Sequence, residues 1–379
     1  MLRRTGAWFA TVAVVTLAAC GGSTPIAHTT GSASVSPSGS ATASSSPTAA
    51  AASLVHCAAA VPAGDNLVIG TVVGDPTVVV RDIQDPAHAR NLCAFDTSVQ
   101  SPAFVSGSTV AYETGSNEIV RADLGATGAT VVATFSPGFG TGQYAFSPDG
   151  KSMTYIDGNA WHMVGPSGNR TLTTLPAVPG RGASPMQDDS YLAFSPDGLY
   201  LAFFQTFHVG GSGETAPDQI RRASDGTLVY STSGATMAVW ASVPSRLFFR
   251  DAAGNVKRWD ASTAVSSMTT LSWVRPKASP DGRWIAYTFA TPSGVGGVGF
   301  YSVQSNSVSN TSPPGRSGAR FLTNDLVFYI GEKACSTCFG GAPTPTGVTY
   351  IYSIAGASEI ASRLSTVDDA WPRVTAPAL

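Results

Sequence analysis

Apolar positions along this chain fall into short runs that recur at a near-constant interval. The clearest begin at Leu67, Val110, Met153, Leu201, Leu247, Ile285 and Val327. Their mean spacing is about 43 residues, the length of a four-stranded propeller blade. A shorter strand precedes six of them, as in Pro102-Ala-Phe104 before Val110-Ala-Tyr-Glu113 or Trp240 before Leu247-Phe-Phe-Arg250. Two further strand-like stretches follow, as in Glu118-Ile-Val-Arg-Ala122 with Thr130-Val-Val-Ala133. No stretch of twelve residues has a helical period with caps. The pattern predicts an all-β chain.

The turns support this. Tyr144-Ala-Phe-Ser-Pro-Asp-Gly150, Leu192-Ala-Phe-Ser-Pro-Asp-Gly198 and Pro276-Lys-Ala-Ser-Pro-Asp-Gly282 are nearly superimposable. In such a turn Pro presets φ, Asp tolerates the next position and Gly accepts a positive φ. The repeated placement of Asp149, Asp197 and Asp281 makes them turn formers rather than acids or calcium ligands. The Phe-Ser-Pro-Asp-Gly-x-x-Ile-Ala-Tyr pattern resembles the WD40-like (PD40) repeat of TolB-type β-propellers, and as a period it covers residues 60–379. The resemblance implies a fold. It does not imply one function, because such propellers serve as scaffolds, receptors and domains of peptidases.

Seven blades are expected, with six if the first or last unit is irregular. Blade one has strands at 67–70, 77–81 and 91–95 but no first strand of its own. Trp371-Pro-Arg-Val374 matches the first strands at 101–104 and 275–278. It is expected to close the ring as blade one's innermost strand, which removes an exposed sheet edge.

The N-terminus is of another kind. Arg3 and Arg4 precede an apolar stretch from Ala7 to Ala19 that is short for a membrane span. It ends in Leu17-Ala-Ala-Cys20, which resembles the lipobox of bacterial lipoproteins. The resemblance implies a signal peptide over 1–19, a diacylglyceryl group on Cys20, and attachment to a lipid bilayer. The expected location is the extracytoplasmic side of the cell membrane, or the outer membrane of a Gram-negative host, since Gly21 rather than Asp follows the Cys. Residues 20–53 are rich in Ser, Thr, Ala and Pro and read as a disordered tether. The propeller is then expected over 54–379.

Composition narrows the function classes. Only 12% of residues are charged, against about 25% in an ordinary soluble domain, and the net charge is −2. There is no block of Lys or Arg, so a nucleic-acid partner is excluded. The 40 Gly and 25 Pro are turn chemistry repeated blade by blade. Four Cys remain after Cys20, and in an exported chain they are expected in disulfides. Cys335 and Cys338 form a local pair in a Gly/Pro-rich loop, and Cys57 pairs with Cys93. A redox, zinc or haem role for Cys335 and Cys338 lacks its context: no βαβ unit, no nearby ligands, and Phe339 rather than His after Cys338. The five His are scattered without metal spacing, so no metal or cofactor is expected.

The residues just before each first strand should line one mouth of the central channel. They are Gln100, Gln143, Tyr191, Met237, Arg275 and Asp369, with Asp188, Asp189, Asp368 and Trp371 close by. Convergent polar groups at such a mouth suit a ligand or peptide. The expected function is a monomeric, non-catalytic binding module for an envelope protein or cell-wall component. The alternative is an enzyme on a propeller scaffold (a lactonase, lyase or glycan-active hydrolase), with Asp188, Asp189, Asp368 and Asp369 as the first catalytic candidates.

Overall fold

Backbone groups in a strand must find partners on both sides or be left at an edge. This chain meets that demand with seven antiparallel sheets. The computed structural model describes residues 50–62, 66–136, 144–175, 191–204, 218–241, 245–261, 265–267, 274–290, 296–335 and 343–367. Blade three is representative: Tyr144–Phe146, Met153–Asp157, Ala160–Gly165 and Gly168–Thr174 pair in sequential order. Blade two spans 100–134, blade four 191–232, blade five 236–267, blade six 274–311 and blade seven 316–361, each with the same order. Blade one contributes Leu67–Val72, Asp75–Asp82 and Arg90–Phe95. The expected seven-bladed propeller is observed.

The Ser-Pro-Asp-Gly turns work through their side chains. Ser147 Oγ donates to Asp149 at 2.6 Å and accepts the amide of Ser152 at 2.9 Å. Asp149 also accepts the amide of Lys151, and Gly150 sits at φ +67°. The same bonds recur at Ser195 with Asp197 and at Ser279 with Asp281, at 2.6 and 2.7 Å. Hydrogen bonding, first from Ser147, holds the Asp149 carboxyl below its ordinary pKa. These three carboxylates are engaged in forming the turns.

The second strand of each blade carries apolar residues on both faces because each sheet is sandwiched between two others. Seven apolar clusters result, one for every junction between neighbouring blades. Trp161, Phe203 and Leu201, all fully buried, fill the junction of blades three and four. The seventh cluster closes the ring, joining Val68 and Ile83 of blade one to Leu322, Phe328 and Ile351 of blade seven. Leu364 and Val367 complete it.

Closure is by the C-terminal chain. Ser365 donates its amide to the Thr71 carbonyl at 2.9 Å, and Val73 donates to Arg363 at 3.1 Å. Val72 and Leu364 form an antiparallel bridge between these two bonds. The closing pairing described is therefore by residues 363–365, ahead of the segment named from sequence; residues 371–374 lie outside the described residues.

The N-terminal end does the opposite job on the outer edges. Ala50–Ala52 pairs with Gly128–Thr134, the outer strand of blade two. Val55–Cys57 then pairs with Arg90–Phe95, the outer strand of blade one. Cys57 lies directly opposite Cys93 and is disulfide-bonded to it. The three alanines fall in the stretch read from sequence as tether. They enter the fold through backbone hydrogen bonds, which leave no mark on side-chain pattern.

Gly70 reports on the closure. A Cβ there would collide with the Thr366 carbonyl oxygen, whereas a Cβ at Gly128 meets nothing within 4 Å. Gly70→Ala is expected to cost about 1–3 kcal/mol, as overpacking does, and to lower the thermal midpoint. Gly128→Ala is expected to leave it unchanged or slightly raised, and a circular-dichroism melt of the two variants compares them.

Candidate binding rim at the inner strands

The inner strands of blades two to seven begin near one mouth of the ring, and those of blades three to seven touch in succession. They are Gln100–Ser106, Tyr144–Phe146, Tyr191–Phe194, Thr236–Ala241, Val274–Ala278 and Arg316–Phe321. Four of them share an irregularity. The pairing register slips between Gln100 and Ala103, Thr236 and Val239, Val274 and Lys277, and Ser317 and Arg320. Within each slip one residue takes a left-handed backbone: Ser101 at φ +47°, Met237 at +57°, Arg275 at +50° and Gly318 at +66°. Only one of the four is glycine, although a left-handed conformation costs other residues about 1–2 kcal/mol. A bulge of this kind bends the strand and re-aims its side chains.

Hydrogen bonds between blades hold the rim in place. The Tyr144 hydroxyl donates to the Ser101 carbonyl at 2.6 Å. The Trp240 amide donates to the Tyr191 hydroxyl at 3.0 Å, and the Arg275 amide donates to Met237 Sδ at 3.3 Å. The Gly318 amide donates to Thr288 Oγ1 at 3.3 Å. Each of these bonds joins one blade to the next, tying blade two to blade three and linking blades four to seven in series.

Charge around the rim is uneven. Glu113 pairs in register with Gln100 and is 2% exposed. Burial, with the Glu113 charge adding to it, pushes the Tyr144 phenol well above its ordinary pKa, so the phenol remains a hydrogen-bond donor. On blade six the Arg275 side chain is exposed. Arg316 starts the inner strand of blade seven, but its guanidinium turns back across the sheet. It meets Glu359 at 2.6 and 3.0 Å and lies 3.8 Å above the Tyr350 ring. The Tyr329 hydroxyl donates to the same carboxylate at 2.6 Å. Burial opposes ionisation of Glu359, but hydrogen bonds from Arg316 and Tyr329 outweigh it and hold the carboxyl below its ordinary range. At the start of its inner strand, blade seven thus turns Arg316 inward, while blade six presents Arg275.

Of the mouth residues named from sequence, Gln100 and Tyr191 begin inner strands, and Met237 and Arg275 are the second residues of theirs. Gln143, Asp188, Asp189, Asp368, Asp369 and Trp371 lie outside the described residues, as do Cys20 and Cys338. Cys335 is disulfide-bonded. His162 stacks on Tyr155 with centroids 5.0 Å apart, and burial lowers its pKa. No group of three or more His, Cys, Asp or Glu is placed to hold a metal among the described residues. The left-handed bulges were not foreseen, because Ser, Met and Arg are not residues that announce a positive φ.

No family model and no curated protein matches this chain. Solved structures do. A puromycin-hydrolyzing peptidase of Mycobacterium tuberculosis matches at TM-score 0.52 and 14% identity, over 79% of this chain and 53% of that one. This chain thus spans about half of that peptidase. Oligogalacturonate lyase from Vibrio parahaemolyticus matches at TM-score 0.51 and 12% identity, over 79% of this chain and 85% of the lyase. TolB from Acinetobacter baumannii matches at TM-score 0.45 and 19% identity, over 82% and 67%. At such identities the likeness is one of fold.

Two consequences are measurable. Arg275→Gly is expected to keep or raise the thermal midpoint, and Arg275→Val to cost about 1–2 kcal/mol, because only the first relieves the left-handed strain. For Glu359, a depressed carboxyl adds stability that is present above the unfolded value, about pH 4.3, and is lost as pH falls through the folded value. Glu359→Gln is expected to cost about 1–3 kcal/mol at neutral pH. As pH falls from the ordinary carboxylate range through the lower folded value of Glu359, the variant and the natural chain are expected to converge, as a pH series of melts would read.

Proposed function

We propose that the protein is a lipid-anchored binding module working outside the cytoplasm, with the rim of inner strands as its recognition surface. The observation that carries this reading is the rim itself: exposed Gln100, Ser101 and Arg275 ride on strained backbone that cross-blade hydrogen bonds hold rigid. Strain of this kind gathers where a surface has a task. A preset surface binds without the entropy cost of ordering loops. The Cys57–Cys93 disulfide supports an oxidising compartment, in line with the lipobox-like Leu17-Ala-Ala-Cys20. In this reading residues 1–19 are removed, Cys20 carries the acyl group, and residues 20–49 give the propeller its reach. The partner is an envelope protein or a cell-wall component. With a net charge of only −2 over the full chain and no block of like charge, recognition depends on local groups rather than on bulk attraction.

The test is photo-crosslinking in the native envelope from probes at Gln100 and Arg275, with a probe at the exposed Ile360 on the outer strand of blade seven as reference. A discrete adduct from both rim probes and none from Ile360 is expected. A Cys20→Ala chain, unable to take the acyl group, should leave the membrane fraction. Adducts from Ile360 alone would move the surface elsewhere. Turnover of oligogalacturonate or another glycan by the purified protein would replace the binding reading with an enzyme.

A further inference from the structure

Among the described residues, the ring closure contains a buried charge with no acidic counterpart. Arg81 lies on the blade-one strand Asp75–Asp82 and is 6% exposed. Its Nη2 donates to the Ala89 carbonyl at 2.7 Å, but Nε and Nη1 are buried with no hydrogen-bond partner among the described residues. The neighbouring carboxylate does not help. Asp82 is taken by Arg90 at 2.7 Å and by the Gln84 amide at 2.9 Å. The nearby charge is of the same sign: burial first, then the charge of Arg363, pull Arg81 below its ordinary pKa. A guanidinium nonetheless keeps its proton in proteins. Two orphaned donors and a repelled, buried cation together form an unstable arrangement.

Beside them is a cavity lined by Arg81, Arg363 and Ser362, with Ile83, Ala87 and Ile351 among its apolar walls. It holds about 240 Å³ of empty space, part of it open to solvent, and as it stands has room for about one water-sized occupant. We propose that this cavity is a binding site for a small inorganic anion such as chloride, drawn in by the charges of buried Arg81 and exposed Arg363, and seated against Arg81 Nε or Nη1 once the surrounding side chains give way to admit it. A water there would satisfy the two donors and leave both charges repelling. An anion answers the donors and the charges together, with bonds about twice as strong as neutral ones. The apolar residues on part of its lining sharpen the attraction by lowering the local dielectric.

The location gives the site a consequence. Its walls come from blade one, from blade seven through Ile351, and from the closing segment through Ser362, Arg363 and Leu364. An anion there ties the first blade to the last. It binds the closed ring and not the open one, so it shifts stability by mass action.

The experiment is thermal unfolding of the full chain in sodium chloride and in sodium gluconate at equal ionic strength, for the natural sequence and for Arg81→Met. A saturable rise of several degrees is expected in chloride alone, and in the natural chain alone. Crystals soaked in sodium bromide should give an anomalous peak within hydrogen-bond distance of Arg81 Nε or Nη1. Equal midpoints in the two salts, or a chloride effect that survives Arg81→Met, would overturn the proposal. A soaked crystal with no bromide at Arg81 would also overturn it, and this readout decides alone if Arg81→Met does not fold.

Discussion

The pairing of residues 363–365 with the strand that begins at Leu67 is the constraint on which the rest of this structure depends. Six of the seven blade junctions form between consecutive segments of chain and could assemble locally. The seventh joins Val68 and Ile83 to Phe328 and Ile351, between 245 and 283 residues away in sequence. Without it, blade one presents an open edge of unpaired amides and carbonyls, and the faces of blades one and seven stand in water. The rim depends on it too. Cross-blade bonds such as Tyr144 to Ser101 and Trp240 to Tyr191 need every blade at a set angle to its neighbours. Only a closed ring fixes all of those angles at once.

Blade one is held from both sides by the two ends of the chain. Its inner edge receives the C-terminal segment at Val72, and its outer edge receives Val55–Cys57. The disulfide closes a loop with a sequence separation of 36, for which chain entropy predicts about 4 kcal/mol of stabilisation. The stretch that precedes it, Ala50–Ala52, reaches the outer strand of blade two, and Leu54 donates its amide to the Tyr112 hydroxyl at 2.9 Å. The blade with the fewest strands of its own is thus the one with the most external support. A pull transmitted along the preceding residues would meet two sheets and a covalent bond before it reached the core.

What was legible in the sequence was what repeats. Ser147, Asp149 and Gly150 form a turn by local bonds, and three near-identical copies made both the turn and its period visible. The seven second strands could be counted because each must be apolar on both faces. What escaped was set by long-range packing. Arg81 follows Thr77-Val-Val-Val and reads as the polar end of a strand; only the assembled ring shows it buried without an acid. Arg316 and Glu359 are 43 residues apart, and their bond depends on Arg316 lying across the sheet over Tyr350. The bulges at Ser101, Met237 and Arg275 likewise arise from inter-blade geometry, which no single strand encodes. Of the rim, sequence named the right strand ends at Gln100, Tyr191 and Arg275 but not the backbone state that displays them.

The scarcity of charge gives the exceptions their meaning. In a chain with 12% charged residues, a charge placed in the interior stands out against the apolar packing around it. Arg316 and Glu359 satisfy each other, so their burial costs little net energy, although apolar residues of the same size would often serve stability as well. Arg81 is different, because nothing described in the protein answers its charge and Arg363 adds to it. Packing alone would favour a methionine or leucine at that position, with no donors to satisfy and no repulsion to bear. The same electrostatic argument separates the ring joint from the rim. At the rim a charge is displayed to solvent on Arg275, where it costs little and is available to a partner. At the joint a charge is buried, where the proposed ion would answer it and the benefit would go to the closure itself.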